Sequence, residues 1–237
     1  SAPNVEKIKM GGVEKVVLIF GAGYDTGQDV LITRGTDSVG RGIFIVDAES
    51  GEMLWRAGPD GAADLQLTDM LYSIPARIKP VDIDGDGFVD RLYAGDMGGQ
   101  LWRIDIDNNS ASSGVVSTTG GRIAELAVDG SVNDNRRFYN PPDAALILQQ
   151  GHAPYISIVA ASGYRAHPLQ TDTHDRVYMI RDYDVYQAPA TYTTVTEDDL
   201  FDTTDNTIGQ GTQADIDTAK ASLNGAKGWY ITFSEID

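Results

Sequence analysis

The sequence predicts an all-β protein, part of a β-propeller of about three blades with a short helical insertion in the last blade. Two observations lead to this prediction. Strand pairs with a shared pattern recur at spacings of roughly 60 to 75 residues, which is typical of a repeat architecture. The composition, with 26 glycines and far more Asp than Glu, is that of a chain rich in turns.

Each repeat has an apolar strand followed by a second strand in which an aromatic residue stands two positions before Val or Ile. That residue is Phe44, Trp102 or Tyr178. A propeller blade has about four strands. We therefore expect one domain over residues 1–237 whose blades lie at approximately 1–60, 70–130 and 138–235. The first blade shows no clear opening strand.

The last blade is interrupted between residues 196 and 223. Thr196 is followed by acidic residues, as expected for an N-cap and the first turn of a helix. A second short helix is predicted from Asp215 to Leu223, because Asn224-Gly225 is a helix stop signal. Three blades do not easily close a ring, since propellers have four to eight, so the sequence is expected to be a segment of a longer protein.

A nine-residue loop, Asp82-Ile-Asp-Gly-Asp-Gly-Phe-Val-Asp90, carries the most specific chemical signal. Its carboxylates stand at positions one, three, five and nine, with glycine at six, as at the start of an EF-hand calcium loop. The predicted ligands are the side chains of Asp82, Asp84, Asp86 and Asp90 and the backbone carbonyl of Phe88.

The loop then departs from the EF-hand, because Tyr93 takes the place of the bidentate glutamate at position twelve. The flanking residues also have the pattern of strands, not helices. The sequence thus predicts a Ca²⁺ loop between two β-strands, with Arg91 as the nearest base. The alternative is a solvated Asp-Gly turn that binds no metal.

The charge and composition of the chain disfavour several classes of function. The chain of 237 residues has 18 Lys and Arg against 35 Asp and Glu, a net charge of −17, which disfavours nucleic acid as a partner. There is no cysteine, and the three histidines are too scattered for a zinc site. No apolar run has the length of a transmembrane helix. No catalytic motif is present, so we expect a protein that is not an enzyme.

Three further motifs leave alternatives open. The glycine-rich stretch from Phe20 to Gly27 follows a strand, but no amphipathic helix pattern follows it, so a turn is favoured over a nucleotide site. The pair Arg136-Arg137 could face the acidic surface. The segment from Gly42 to Trp55 resembles the tryptophan-docking repeat of quinoprotein dehydrogenases. A quinoprotein propeller and an integrin-like calcium-stabilised adhesion propeller are therefore the alternative functions.

Several segments together resemble one family, the PilY/PilC proteins of type IV pilus biogenesis and pilus-tip adhesion, in their C-terminal calcium-binding β-propeller region. The segments that carry the resemblance occur in the family's order and are Ser73–Ala76, Val81–Asp96, Gly98–Arg103, Arg137–Asp143, Ser162–Pro168, Tyr178–Asp182 and Lys227–Tyr230.

The resemblance implies a protein of a Gram-negative bacterium that is secreted, and located at the cell surface, the pilus tip or the outer membrane. It implies pilus components, pilin or minor pilins, and a surface or host receptor as partners. It also implies that the loop from Asp82 to Asp90 binds Ca²⁺ and supports pilus extension, surface attachment and twitching motility. The large N-terminal region of the family is absent from this sequence.

Overall fold

The structure, a computed structural model, describes residues 1–233, and these form three β-sheets, a single α-helix and short 3₁₀ turns. Sheet 1 contains β1 (Asn4–Met10), β2 (Val13–Gly21), β3 (Ile43–Asp47), β4 (Met53–Gly58) and β5 (Leu65–Gln66). Its first four strands pair antiparallel in chain order, and β5 adds a short parallel pairing to β4. The all-β prediction is therefore confirmed.

Sheet 2 repeats this order with four strands. They are β6 (Lys79–Val81), β7 (Arg91–Gly95), β8 (Gln100–Ile106) and β9 (Thr118–Glu125). Every residue of β7 and β8 is buried, because the other two sheets cover sheet 2 on both faces. Successive side chains of a strand point to opposite faces, so Leu92 packs toward sheet 1 while Tyr93 packs toward sheet 3.

Sheet 3 contains the helical insertion that the sequence predicts. Its strands are β10 (Asp143–Ile147), β11 (Tyr155–Ala161), β12 (Arg176–Asp182), β13 (Phe201–Asp202) and β14 (Gly228–Thr232). The insertion between β12 and β14 holds a 3₁₀ turn at Glu197–Asp199 and the helix α1 at Gln213–Gly225. Thr212 caps α1 with a capping box, since its side chain and that of Asp215 satisfy each other's backbone N–H groups.

Two apolar cores hold the sheets together. The first lies between sheets 1 and 2 and contains Trp55 and Trp102; the second lies between sheets 2 and 3 and contains Phe138 and Tyr178.

The strand β1, which has no clear signal in the sequence, has only Ile8 fully buried, because it is an edge strand with one exposed face. Among the described residues, no helix is long and apolar enough to cross a membrane.

Candidate metal centre

The loop from Asp82 to Asp90 connects β6 to β7, two antiparallel strands of sheet 2. Gly85 and Gly87 have φ angles of 79° and 89°, in the left-handed region that glycine adopts readily. Their N–H groups donate to the two carboxylate oxygens of Asp82, at 2.7 and 2.8 Å. The glycines thus let the backbone fold around the first carboxylate of the loop, between strands as the sequence predicts.

The next two carboxylates are held in the same way. The N–H of Asp86 donates to Asp84 at 3.1 Å, and the N–H of Phe88 donates to Asp86 at 3.0 Å. As a result, carboxylate oxygens of Asp82, Asp84 and Asp86 all lie within 4.8 Å of one another, and all three residues are exposed. The structure therefore brings together three of the four predicted carboxylate ligands.

Asp90 lies deeper, immediately before β7. Its carboxylate accepts hydrogen bonds from the N–H of Ile83 at 2.8 Å and from Nδ2 of Asn108 at 3.1 Å. Burial raises the pKa of Asp90, and the neighbouring charges of Asp84 and Asp82 raise it further. Asp90 thus takes part in the electrostatics of the cluster, while its ligation of a metal, like that of the Phe88 carbonyl, stays a prediction.

One lysine contributes a positive charge to this loop. Nζ of Lys9, on β1 of sheet 1, lies 3.1 Å from Asp86 and 4.0 Å from the ring centroid of Phe88. The pKa of Asp86 is lowered by the N–H of Phe88 and by Lys9. Sequence reasoning missed Lys9 because it lies 77 residues before Asp86 and no local pattern links them.

The base that lies nearest in the sequence, Arg91, does not neutralise the loop carboxylates. Its Nε donates to Asp105 at 2.7 Å, inside the molecule. Arg91 begins β7, and its side chain points to the face of sheet 2 that packs against sheet 3. Proximity in sequence is thus a poor guide to proximity in space at this loop.

The donor set fits a hard cation. All the converging side-chain groups are carboxylates, and no cysteine is available in the chain. An ionised carboxylate has about four lone-pair sites, so oxygens that accept one backbone N–H keep capacity for an ion. Calcium takes six to eight oxygen ligands in flexible geometry, which suits a loop of this shape.

Comparison with known proteins gives similarities in sequence and in structure. No family model matches the chain. A stretch of 94 residues, 37% of this chain, is 30% identical to the type IV pilus biogenesis factor PilY1 homolog of Xylella fastidiosa (strain Temecula1 / ATCC 700964). The structure is similar to the crystal structure of the Pseudomonas aeruginosa PilY1 C-terminal domain, with a TM-score of 0.62, 17% identity and coverage of 98% of this chain.

The chain is thus similar in part of its sequence to a PilY1 homolog, and similar in fold to the PilY1 C-terminal domain. It covers 6% of the Xylella fastidiosa PilY1 homolog and 49% of the Pseudomonas aeruginosa PilY1 domain. The fold similarity to the PilY1 C-terminal domain extends over 98% of this chain.

The pair Arg136-Arg137 meets the sequence-based expectation only in part. Both side chains are buried, and Arg136 pairs with the carboxylates of Asp134 at 3.1 Å and Glu197 at 3.4 Å. Arg136 donates to the hydroxyl of Tyr178 at 2.6 Å, and Arg137 lies 3.8 Å from the ring centroid of Tyr164. Arg136 thus joins its loop to β12 of sheet 3, while Arg137 packs on an aromatic ring of the connection between β11 and β12.

Proposed function

We propose that this chain is a calcium-binding segment of a secreted type IV pilus biogenesis and adhesion protein, in which it supports pilus extension and surface attachment. One observation carries the proposal: three loop carboxylates converge within 4.8 Å on a fold similar to the PilY1 C-terminal domain. Carboxylates at this separation repel one another strongly unless a cation lies between them.

Calcium is favoured over other metals by the chemistry of the donors. Zinc and other soft or borderline ions prefer thiolate and imidazole ligands, and the cluster has neither. Magnesium demands near-ideal octahedral geometry, which a nine-residue loop of alternating Asp residues satisfies less readily. The proposed ligands are the side chains of Asp82, Asp84, Asp86 and Asp90 and the carbonyl of Phe88.

We also propose that the three sheets are consecutive blades of a propeller. Each has four antiparallel strands joined in chain order, and each packs face to face on the next. The chain corresponds to about half of the matched PilY1 domain. In a longer protein, further sheets would cover the outer faces of sheets 1 and 3.

The proposed partners are pilus components, pilin or minor pilins, and a surface or host receptor, with the protein at the cell surface, pilus tip or outer membrane. The name of the Xylella fastidiosa relative supports the first of these. The proposal includes no catalytic role. A purified protein that carries the absorbance of a bound quinone would contradict this and favour the quinoprotein alternative.

Calorimetric titration of metal-free protein with Ca²⁺ tests the metal site. We expect the natural chain to bind and the Asp84→Ala variant to bind at least about tenfold more weakly, because one charged oxygen ligand is lost. Asp198→Ala is the matched control, since Asp198 is an exposed aspartate of the 3₁₀ turn in sheet 3. Absence of binding in the natural chain, or equal binding in both variants, would contradict the site.

The effects of calcium binding on protein stability and on pilus function can be measured separately. Calcium at a hundredfold excess over its Kd should stabilise the native state by about 2.7 kcal/mol. The sheets should persist without the ion, because their ladders and cores do not include the loop carboxylates. In the complete protein, Asp84→Ala should change pilus number or twitching motility. Normal motility with a stably expressed, calcium-free variant would reduce the loop to a structural role.

A further inference from the structure

Lys9 is held against the acidic loop by its own strand. The N–H of Val89 donates to the carbonyl of Lys7 at 2.9 Å, and the N–H of Lys9 donates to Oδ1 of Asn108 at 2.8 Å. Asn108 in turn donates to the carbonyl of Val89 at 3.0 Å and to Asp90 at 3.1 Å. The backbone of β1 is therefore fixed relative to the loop by hydrogen bonds close to Lys9.

The side chain of Lys9 continues this contact into the cluster. Its Nζ lies over the ring of Phe88, 4.0 Å from the ring centroid, and pairs with Oδ2 of Asp86 at 3.1 Å. Among residues 1–233, this is the single lysine or arginine whose side chain lies within salt-bridge distance of a carboxylate of the loop. Lys9 thus supplies a positive charge where the loop would hold a metal.

From this geometry we propose that Lys9 is a tethered competitor for calcium, and that it sets the calcium concentration at which the loop fills. The inference rests on the proposed calcium binding. Without metal, the ammonium group neutralises part of the charge of Asp86. When calcium binds, the same ammonium group is close to a divalent ion, and it must leave Asp86 or bear the repulsion.

The direction in which Lys9 changes the calcium affinity follows from the charges involved. Lys9 has two influences, and both weaken calcium binding: it reduces carboxylate repulsion in the metal-free loop, and it repels the incoming ion. A partly exposed ion pair such as Lys9–Asp86 contributes little. The repulsion of the ion involves a double charge at a comparable distance, so it is the larger of the two influences. Removal of the Lys9 charge should therefore tighten calcium binding.

The decisive variant is Lys9→Met, which keeps an unbranched side chain beside Phe88 and removes the charge. The matched control is Lys7→Met. Lys7 lies on the same strand and pairs with Glu14 at 2.6 Å instead of with the loop. Both variants change the net charge of the protein by the same amount, so a difference between them reports the local effect of Lys9.

Calorimetric titration with Ca²⁺ gives the first measurement. We expect the Kd of Lys9→Met to fall about three- to tenfold below that of the natural chain. We expect Lys7→Met to stay within about twofold of the natural chain, because its charge is farther from the ion. Melting temperatures give the second. Lys9→Met should melt lower than the natural chain in chelator, and calcium should raise its melting temperature by a larger amount.

The outcomes separate this inference from the proposed function. Calcium binding by the natural chain with equal Kd values for Lys9→Met and Lys7→Met would overturn the role of Lys9 alone. Weaker binding by Lys9→Met would overturn it too. Absence of binding in all three proteins would overturn both proposals. Binding by Lys9→Met alone would support the competition and contradict calcium binding by the natural chain.

Discussion

The carboxylate of Asp25 accepts four hydrogen bonds and so holds several loop residues in place. It lies in the long connection between β2 and β3, which contains few regular hydrogen bonds of its own. Its side chain accepts from the N–H groups of Gly27, Ser38 and Val39, at 2.8, 2.7 and 3.1 Å, and from the hydroxyl of Ser38 at 2.9 Å. These donors lower the pKa of Asp25 to about 2.

The lowered pKa predicts a dependence on pH with a definite sign. Because the pKa of Asp25 is lower in the folded state than the value of about 3.9 in an unfolded chain, its contribution is present above pH 4. The contribution is lost as the pH falls toward 2. We therefore expect the difference in melting temperature between the natural chain and Asp25→Asn to shrink between pH 5 and pH 2.

Comparison of the natural chain with Asp25→Asn cancels the contributions of the other acidic groups, because those groups titrate in both proteins. Ser38→Ala provides a second check, because it removes one donor and should raise the pKa of Asp25 without removing its charge. A difference in melting temperature that stays constant from pH 5 to pH 2 would contradict the role assigned to Asp25.

At the scale of single residues, the sequence predicted what local spacing determines. The convergence of Asp82, Asp84 and Asp86 follows from alternating residues on a turning backbone, which is visible in nine letters of sequence. Lys9 reaches the same loop from a strand of another sheet, 77 residues before Asp86, and Asn108 from the turn after β8, 18 residues after Asp90. Their contribution depends on tertiary contacts, so no local pattern could reveal it.

Sheets 2 and 3 are joined by a buried ionic cluster around Arg103 of β8. Its guanidinium group donates to both oxygens of Asp182 on β12, at 2.7 and 2.8 Å, and to Asp105 at 2.8 and 2.9 Å. The hydroxyl of Tyr93 donates to Asp182 at 2.6 Å. Arg103 is 1% exposed, so each of these hydrogen bonds replaces water that the charged group has lost.

The cluster predicts a large effect of a single substitution. Asp182→Ala would leave the buried guanidinium group of Arg103 with one carboxylate instead of two, and the Tyr93 hydroxyl without its acceptor. We expect the free energy of unfolding to fall by about 3–5 kcal/mol, as is usual when one partner of a buried ion pair is removed. Urea denaturation, monitored by tryptophan fluorescence, measures this free energy of unfolding.

The neighbouring residue Asp184 supplies the control, because it is exposed and forms no salt bridge within the described residues. Asp184→Ala should change the free energy of unfolding by about 0.5 kcal/mol or less. A loss below about 1 kcal/mol for Asp182→Ala would mean that the cluster does not hold the two sheets together.

At the scale of elements, strands with strong apolar runs were predicted well, as was the helix α1, while the helix predicted to begin at Thr196 is only a 3₁₀ turn. The predictions at Thr196 and from Asp215 to Leu223 correspond to the 3₁₀ turn and to α1, because capping and stop signals are local. The edge strand β1 and the buried arginines were not predicted. Their conformation depends on partners in other sheets, not on their own sequence.

The whole molecule is a row of three sheets whose middle member is buried on both sides. This arrangement leaves the outer face of each outer sheet without a partner sheet. On sheet 1, the strand register places four apolar residues in one row across the strands: Val5, Leu18, Val46 and Met53. On sheet 3, Val159, Met179 and Trp229 form a similar row. Single exposed apolar residues are common, but ordered apolar rows on sheet faces favour further packing.

The sequence predicted the all-β class and the threefold repetition of the molecule, since both follow from periodic patterns. It could not determine whether the sheets belong to a closed ring. Trp229 shows the reason: its pattern resembles that of Trp55, yet Trp55 is buried in the core between sheets 1 and 2 while Trp229 lies on the outer face of sheet 3, partly exposed. Burial at that position depends on what packs beside the third sheet.

The last prediction tests whether the outer face of sheet 3 is covered in a longer protein. Val159 is 37% exposed, so Val159→Lys in the chain described here should cost about 1 kcal/mol or less. In a longer protein whose next sheet packs on this face, the same substitution would bury a charge, and its cost should exceed about 2 kcal/mol. Melting temperatures of both proteins, each with and without the substitution, give the comparison.

Leu169→Lys is the control for this test. Leu169 is 93% exposed on the loop between β11 and β12, away from the sheet face, so its substitution should have a small and equal effect in both proteins. If Val159→Lys also lowers the two melting temperatures equally, the face of sheet 3 is not a packing surface, and the assignment of the sheets as propeller blades fails. A larger loss confined to the longer protein would instead place a fourth sheet directly against Val159.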